Sequence, residues 1–223
     1  MHLVQRVASL AARHPAVGPL VWVFSIQYFV VQIVVASAWK QPSYSWRLNA
    51  ISDLGATGCG TFDGRSMCSP SHALMNASLI VLGLSMAVGS ALTYQQLRSS
   101  RVGLWMMATA GTGVILVGLV PLDTVYWLHI AGADLALLLG NLALITLGYV
   151  LQLGRWFRWY SITSGAVALI ALCLFLTHQR FFLELGGMER AAAYPQTIWL
   201  VVSGLYLLKD RNHVAAPTPA GVM

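Results

Sequence analysis

Long apolar runs separated by short polar breaks set the pattern of this chain. A helix that crosses a bilayer needs roughly 20 predominantly apolar residues. Six stretches reach that length, at about 20–39, 71–92, 102–121, 129–151, 159–177 and 188–208. The sixth fits least well, because Glu189, Arg190 and Pro195 stand in its first turns. Proline lacks the N–H that a helix start leaves unused, so Pro195 reads as the opening of the true helix.

The first run has a second reading. Ala36-Ser37-Ala38 after a basic start resembles a signal-peptidase site. The run is long for a signal peptide, and Gln27 and Gln32 interrupt it, so a retained helix is expected. Composition agrees with membrane residence. Hydrophobic residues make up 57% of the 223 and charged residues only 9%, with a mean hydropathy of +0.70. Soluble domains carry about 25% charged residues. The net charge of +6 does not indicate nucleic acid, because the basic residues stand singly or in pairs and form no stripe.

Orientation follows from the basic residues. The two ends and alternate connections hold Arg6, Arg13, Arg98, Arg101, Arg155, Arg158, Lys209 and Arg211 against a single acid, Asp210. The other connections and helix ends balance five basic residues with six acids. Both termini are therefore expected in the cytoplasm. Trp39, Trp46, Trp105, Tyr126, Trp127, Trp156 and Trp159 gather near the predicted helix ends, at headgroup level. The predicted fold class is all-α: an integral membrane six-helix bundle forming one domain over 1–208, with a short disordered cytoplasmic tail over 209–223.

Chemistry concentrates on the outward side. Cys59 and Cys68, nine positions apart in the first outer loop, read as a disulfide. That bridge is expected to hold Ser52 and Asp53 near His72. Cys173, inside the fifth run, reads as a core residue. His72 and Asn76 are spaced i, i+4 and share a helix face. Asp123 ends the third run, His129 opens the fourth, and Asp134 lies about a turn and a half deeper. Glu189 and Arg190 start the sixth. Ionisable groups at membrane depth line a cavity or pair with one another, so these side chains are expected to turn inward around a shared wet pocket. Gln32 and Asn141, deeper, would bridge helices. Gly83, Ala87 and Ala91 would admit a close neighbour.

Three readings of these residues stand side by side. His72, His129 and a carboxylate such as Asp53, Asp123 or Glu189 would suit zinc, or general acid–base work. No H-E-x-x-H or H-x-x-x-H spacing supports the metal. The same groups also fit an interfacial hydrogen-bond network, Glu189–Arg190 a salt-bridged helix start, and Ser52 an ordinary turn residue.

The segments NAISDLGA, CSPSHALMNASLIVLGL, GLVPLD, HIAGADLALLLGN and GGMERAAAYPQTIWLVVSGLYLL together resemble a bacterial multi-pass membrane family known as domain of unknown function nine-nine-eight, over about residues 17–208. The resemblance implies a topology and recurring polar positions, here Ser52, Asp53, Cys68, His72, Asn76, Asp123, His129, Glu189, Arg190 and Gln196. It is similar in style, more distantly, to the Frag1/DRAM/Sfk1 group, which is associated with lipid handling. Alkaline ceramidases offer a fold-level analogy only, because their zinc-type histidine pair is absent here.

The sequence thus predicts an inner-membrane protein with an outward polar pocket. In the leading reading that pocket binds part of a membrane lipid or lipid-linked envelope precursor, with hydrolysis or transfer as its enzymatic version. His72, His129, Asp53, Asp123 and Glu189 would do the chemistry. Ser52, Asn76, Asp134, Arg190 and Gln196 would bind, with Arg190 on a phosphate or carboxylate headgroup. The alternatives are a scaffold or accessory subunit whose polar layer is structural, and a small transporter.

Overall fold

The computed structural model describes residues 13–40, 42–62, 64–94, 97, 100–151 and 154–214, with side chains as far as Lys209. Six helices in it are long and apolar enough to cross a membrane. Helix α1 spans Val17–Ala38, with one tighter turn at Phe24–Ile26. The next four are α2 (His72–Thr93), α3 (Arg101–Leu119), α4 (Tyr126–Val150) and α5 (Arg155–Leu176). Helix α6 runs over Glu184–Val214. Twenty-two residues of helix rise about 33 Å, enough for the hydrocarbon core.

From α2 onward, short connections make consecutive helices run antiparallel. Each of α2 to α5 packs on its successor, α6 follows α5, and α6 returns to α1, which also packs on α2. The result is a closed up-and-down bundle, in which α4 also reaches α6. Glycines permit the closest crossings. Gly83 of α2 lies against the Gly111 backbone of α3, where a Cβ would collide with the Gly111 carbonyl. Gly113 of α3 faces the Gly132 carbonyl of α4 in the same way. Ala91, the outermost small residue of the anticipated stripe, is exposed.

Between α1 and α2 the chain builds a cap over one end of the bundle. It contains a 3-10 turn (Ser52–Gly55) and an antiparallel strand pair, β1 (Gly60–Phe62) and β2 (Arg65–Met67). Gly64, at φ +74°, supplies the left-handed backbone where the strands reverse. The disulfide between Cys59 and Cys68 closes this hairpin.

Pro195 does not open the sixth helix but lies inside it. Proline removes the helical donor to the carbonyl four residues back. Membrane helices tolerate this because neighbouring helices support the disturbed turn. Here Asn141 of α4 donates from Nδ2 to the Ala192 carbonyl at 2.9 Å, next to that gap. The helix also continues beyond 208 to Val214, so the expected tail is helical at its start. Its remainder, 215–223, lies outside the described residues, as do Arg6, Asp63 and Arg98.

Candidate functional site: a capped cavity

Arg190 fastens the cap to α6. It is buried and makes five hydrogen bonds. Nη1 donates to the carbonyls of Trp46 (2.9 Å), Asn49 (3.0 Å) and Gly186 (2.8 Å). Nε donates to the Tyr194 hydroxyl at 3.1 Å, and Nη2 to the Tyr44 hydroxyl. Its guanidinium lies 4.9 Å from the Trp46 ring centroid and 5.5 Å from that of Tyr44. A planar fork with five N–H donors suits this task as no ammonium would. The Tyr44 hydroxyl donates in turn to the Ala50 carbonyl at 2.8 Å. Burial pushes the Tyr44 phenol well above its ordinary pKa, against the lowering pull of Arg190. Gly186 completes the joint: its N–H donates to Arg47, and a Cβ there would collide with the Asn49 carbonyl.

Asp53 organises the cap from within. It is fully buried and pairs with Arg65 of β2 at 3.2 Å. The Ala50 N–H and the Asn49 amide also donate to it, at 2.9 and 3.3 Å. The disulfide hairpin therefore holds Arg65, and not His72, against Asp53. His72 instead meets the Ser69 carbonyl through Nδ1 at 3.0 Å. Asn76 donates to the Gly55 carbonyl at 2.9 Å, and Ser69 to the Leu54 carbonyl at 2.6 Å. These bonds tie the 3-10 turn to the start of α2.

Asp123, between α3 and α4, makes the third attachment. Its carboxylate accepts the Thr57 N–H, the Gly58 N–H at 2.7 Å and the Thr57 hydroxyl at 2.9 Å. Partial burial raises its pKa, but these hydrogen bonds outweigh that and hold it below the usual carboxylate range.

Beneath the cap the bundle holds a partly open cavity of about 70 Å³. Its polar lining comes from Tyr28 of α1, Ser52 of the cap, His129 of α4, and Glu189, Gln196 and Thr197 of α6. Leu79, Leu82, Val114, Val117 and Leu137 form apolar walls. Glu189 accepts the Ile51 N–H at 2.5 Å, closing the roof. His129 donates from Nδ1 to the Val120 carbonyl at 2.7 Å. A carbonyl only accepts, so this contact sets the tautomer and leaves Nε2 as an acceptor. Gln196 sits where Gly140 of α4 provides room, with its amide oxygen packed on that glycine and no hydrogen-bond partner among the described residues.

The sequence-predicted residues thus divide into two groups and one outlier. Ser52, His129, Glu189 and Gln196 share the cavity. Asp53, His72, Asn76, Asp123 and Arg190 hold the cap and do not line it. Asp134 corrects the expectation that every acid turns inward, because it is exposed on the outer face of α4. Cys173 is exposed and not a core residue. Arg190 also departs from its expected role, since its donors are engaged by the protein itself. The zinc expectation finds no ligand set: among the described residues, no three His, Cys, Asp or Glu side chains gather to hold a metal. Gln32 and Asn141 do bridge helices, Gln32 accepting from Tyr194 at 2.9 Å.

Sequence reading missed Tyr28, Tyr44, Asn49, Arg65 and Tyr194. Two of these had a signal. Tyr28 precedes Gln32 by one turn on α1, and Tyr194 follows Arg190 by one turn on α6, so each extends a polar face. Tyr44 and Asn49 lie in irregular chain and Arg65 in a three-residue strand, where no periodicity marks a partner.

Neither the curated proteins nor the solved structures compared with this chain give a match. One family model does match, over residues 16–206, nearly the whole chain. The chain therefore belongs to the family described as "Protein of unknown function (DUF998)".

Proposed function

We propose that this multi-pass membrane protein sits in a bacterial inner membrane with its cap facing the periplasm. The excess of basic residues at the opposite end supports that orientation. We further propose that the capped cavity binds the polar tip of a membrane lipid or lipid-linked envelope precursor. One observation carries this reading. His129, Glu189, Ser52 and Gln196 come from a loop and two helices, yet they line one cavity. Polar groups in such a place are costly unless they serve a ligand, water or one another.

The cavity is far smaller than the 300–1,000 Å³ typical of whole-ligand pockets. It accommodates the end of a headgroup, with the rest of the lipid outside. In an enzymatic version, His129 and Glu189 are the lining groups with acid–base chemistry. A structural reading, in which the polar layer only locks the helices, is favoured by one observation: Arg190, Asp53 and Asp123 are all engaged within the protein. Those three residues hold the cap, while the cavity groups retain free hydrogen-bonding capacity.

Lipid analysis of the detergent-purified protein tests the proposal. The wild type should co-purify one lipid class enriched over the bulk membrane. Ala133→Phe, which fills the cavity from α4, should lose that enrichment while keeping its helical content. A wild-type lipid profile matching the bulk membrane overturns the proposal.

A further inference from the structure

We infer that the cavity recognises a protonated primary amine, carried by a lipid headgroup or by a free amine, and rejects phosphate and carboxylate. The inference rests on the ligand-binding reading of the same cavity and specifies its ligand. Three observations support it.

The first is charge. Glu189 is the one acidic side chain among the lining residues, and no lysine or arginine lines the space. Arg190, its neighbour in sequence, directs its guanidinium into the cap, where three carbonyls and two tyrosine hydroxyls take its donors. The charge of Arg190 reaches Glu189, but its N–H donors are spent on the cap, so an anion in the cavity would find no cationic donor to bind it. A cation would be attracted, and more strongly inside the bundle than in water.

The second is hydrogen-bond polarity. An ammonium group offers three donors and no acceptor. His129 is 3% exposed, and its Nδ1–H is committed to Val120, so the Nε2 lone pair is its remaining function in the cavity. Glu189 accepts backbone N–H bonds from Ile51 and Ser52, which use two of the roughly four lone-pair positions of a carboxylate and leave the rest for a ligand. The Tyr28 and Ser52 hydroxyls, which line the same space, can also turn a lone pair toward a donor.

The third is size and wall chemistry. The cavity, about 70 Å³, is roughly half the 150 Å³ of an engineered cavity that admits benzene. It holds a group of a few heavy atoms. Leu79, Leu82, Val114 and Val117 are suited to contact methylenes. An aminomethyl or aminoethyl end meets both requirements. A trimethylammonium group meets neither: it is bulkier and has no N–H, and such groups are held by aromatic cages. The Tyr28 phenol and the His129 imidazole are the aromatic rings among the lining residues, too few for such a cage.

Native mass spectrometry of the full chain in detergent, with equimolar phosphatidylethanolamine, phosphatidylcholine and phosphatidylglycerol, tests the inference directly. Phosphatidylethanolamine should be retained about tenfold over each of the others. Glu189→Gln, which keeps an oxygen for Ile51, should abolish that preference. Glu184→Gln, at the exposed pair with Arg47, should leave it unchanged. Methylammonium chloride, compared with sodium chloride and sodium phosphate, separates the two amine sources. A rise in the wild-type unfolding temperature that is absent in Glu189→Gln extends recognition to a free amine. Displacement of phosphatidylethanolamine by methylammonium places both at one site. Preference for phosphatidylglycerol, or equal retention of ethanolamine and choline lipids, overturns the amine assignment but leaves the lipid-binding reading intact. If no lipid is retained and methylammonium has no effect, both fail. The lipid comparison is made on wild-type protein, so the inference remains testable even if Glu189→Gln does not fold.

Discussion

The two ends of the bundle address the same problem in opposite ways. At the capped end, polar side chains meet backbone groups of an irregular loop: Arg190 on three carbonyls, Glu189 on the Ile51 N–H, Asp123 on Thr57 and Gly58. At the other end the interior is filled by aromatic rings. Trp22 and Trp199, both fully buried, meet edge to face at 5.6 Å. Phe157 lies 6.0 Å from Trp199 and 5.2 Å from Tyr206. One hydrogen bond serves the buried Trp199 indole, its Nε1–H to the Ser161 hydroxyl at 2.7 Å. Dense ring packing leaves little space for a ligand, while a polar roof over small residues does. The difference gives the aromatic end a packing role and is the reason the proposed binding site is put beneath the cap.

The largest expected effect comes from Arg190→Ala. It removes five hydrogen bonds and a buried charge that lies beside Glu189 in sequence, and losses of this kind cost about 3–5 kcal/mol. The cap should detach, and ligand retention and thermal stability should fall together. Arg190→Lys keeps the charge but loses the fork, so it should recover only part of the loss. If Arg190→Ala keeps full retention, the cap is not needed to form the cavity.

Opening the disulfide is the next step down. Closing so short a loop contributes about 2–3 kcal/mol in the chain-entropy model. Cys59→Ser with Cys68→Ser should lower the unfolding temperature and weaken the hold of Arg65 on Asp53. Wild type treated with a reductant should behave alike. If ligand retention falls as well, the hairpin supports the roof; if stability alone falls, Arg190 and Glu189 suffice to hold Ile51 and Ser52.

At the aromatic end, Trp199→Phe keeps a ring and deletes the bond to Ser161. Hydrogen bonds between membrane helices average about 0.6 kcal/mol. Unfolding temperature should drop slightly and ligand retention should not change. A loss of retention here would dissolve the division between the two ends.

These contrasts also indicate which features the sequence could reveal. Helix number and approximate limits follow from apolar run length, because a bilayer imposes that length on any spanning helix. The disulfide follows from two cysteines flanking a short outer loop. Helix rotation is harder to read. Asp134 was expected inside, yet His129, Gly132, Ala136 and Gly140 form the buried face of α4, and Asp134 does not lie on it. Gly132, Ala136 and Gly140 mark that face in the sequence by their spacing of four, whereas the cost of a charge in lipid points the other way for Asp134. Arg190 shows a different limit. A sequence indicates that a guanidinium is present near a helix start, but its partners here are main-chain carbonyls of Trp46 and Asn49, and backbone acceptors leave no side-chain pattern to recognise.

The smallest expected effect concerns Asp123 and acid. Its folded pKa lies below the ordinary carboxylate value, so the ionised form is the one the fold favours. Its contribution is therefore complete above the unfolded value, about 3.9 for aspartate, and is lost as pH falls through the lowered folded value. Asp123→Asn retains one acceptor oxygen but cannot ionise. The gap in unfolding temperature between wild type and this variant should be constant from neutral pH to about pH 5 and should close in stronger acid. The residue lies at the exposed edge of the cap, so the gap should be small throughout, as for other solvent-screened charges. A gap that widens on acidification would mean the protonated carboxyl is the form bound by Thr57 and Gly58. Loss of ligand retention in Asp123→Asn at neutral pH would show that this edge belongs to the roof of the cavity, and would enlarge the functional half of the molecule from α6 to the α3–α4 connection.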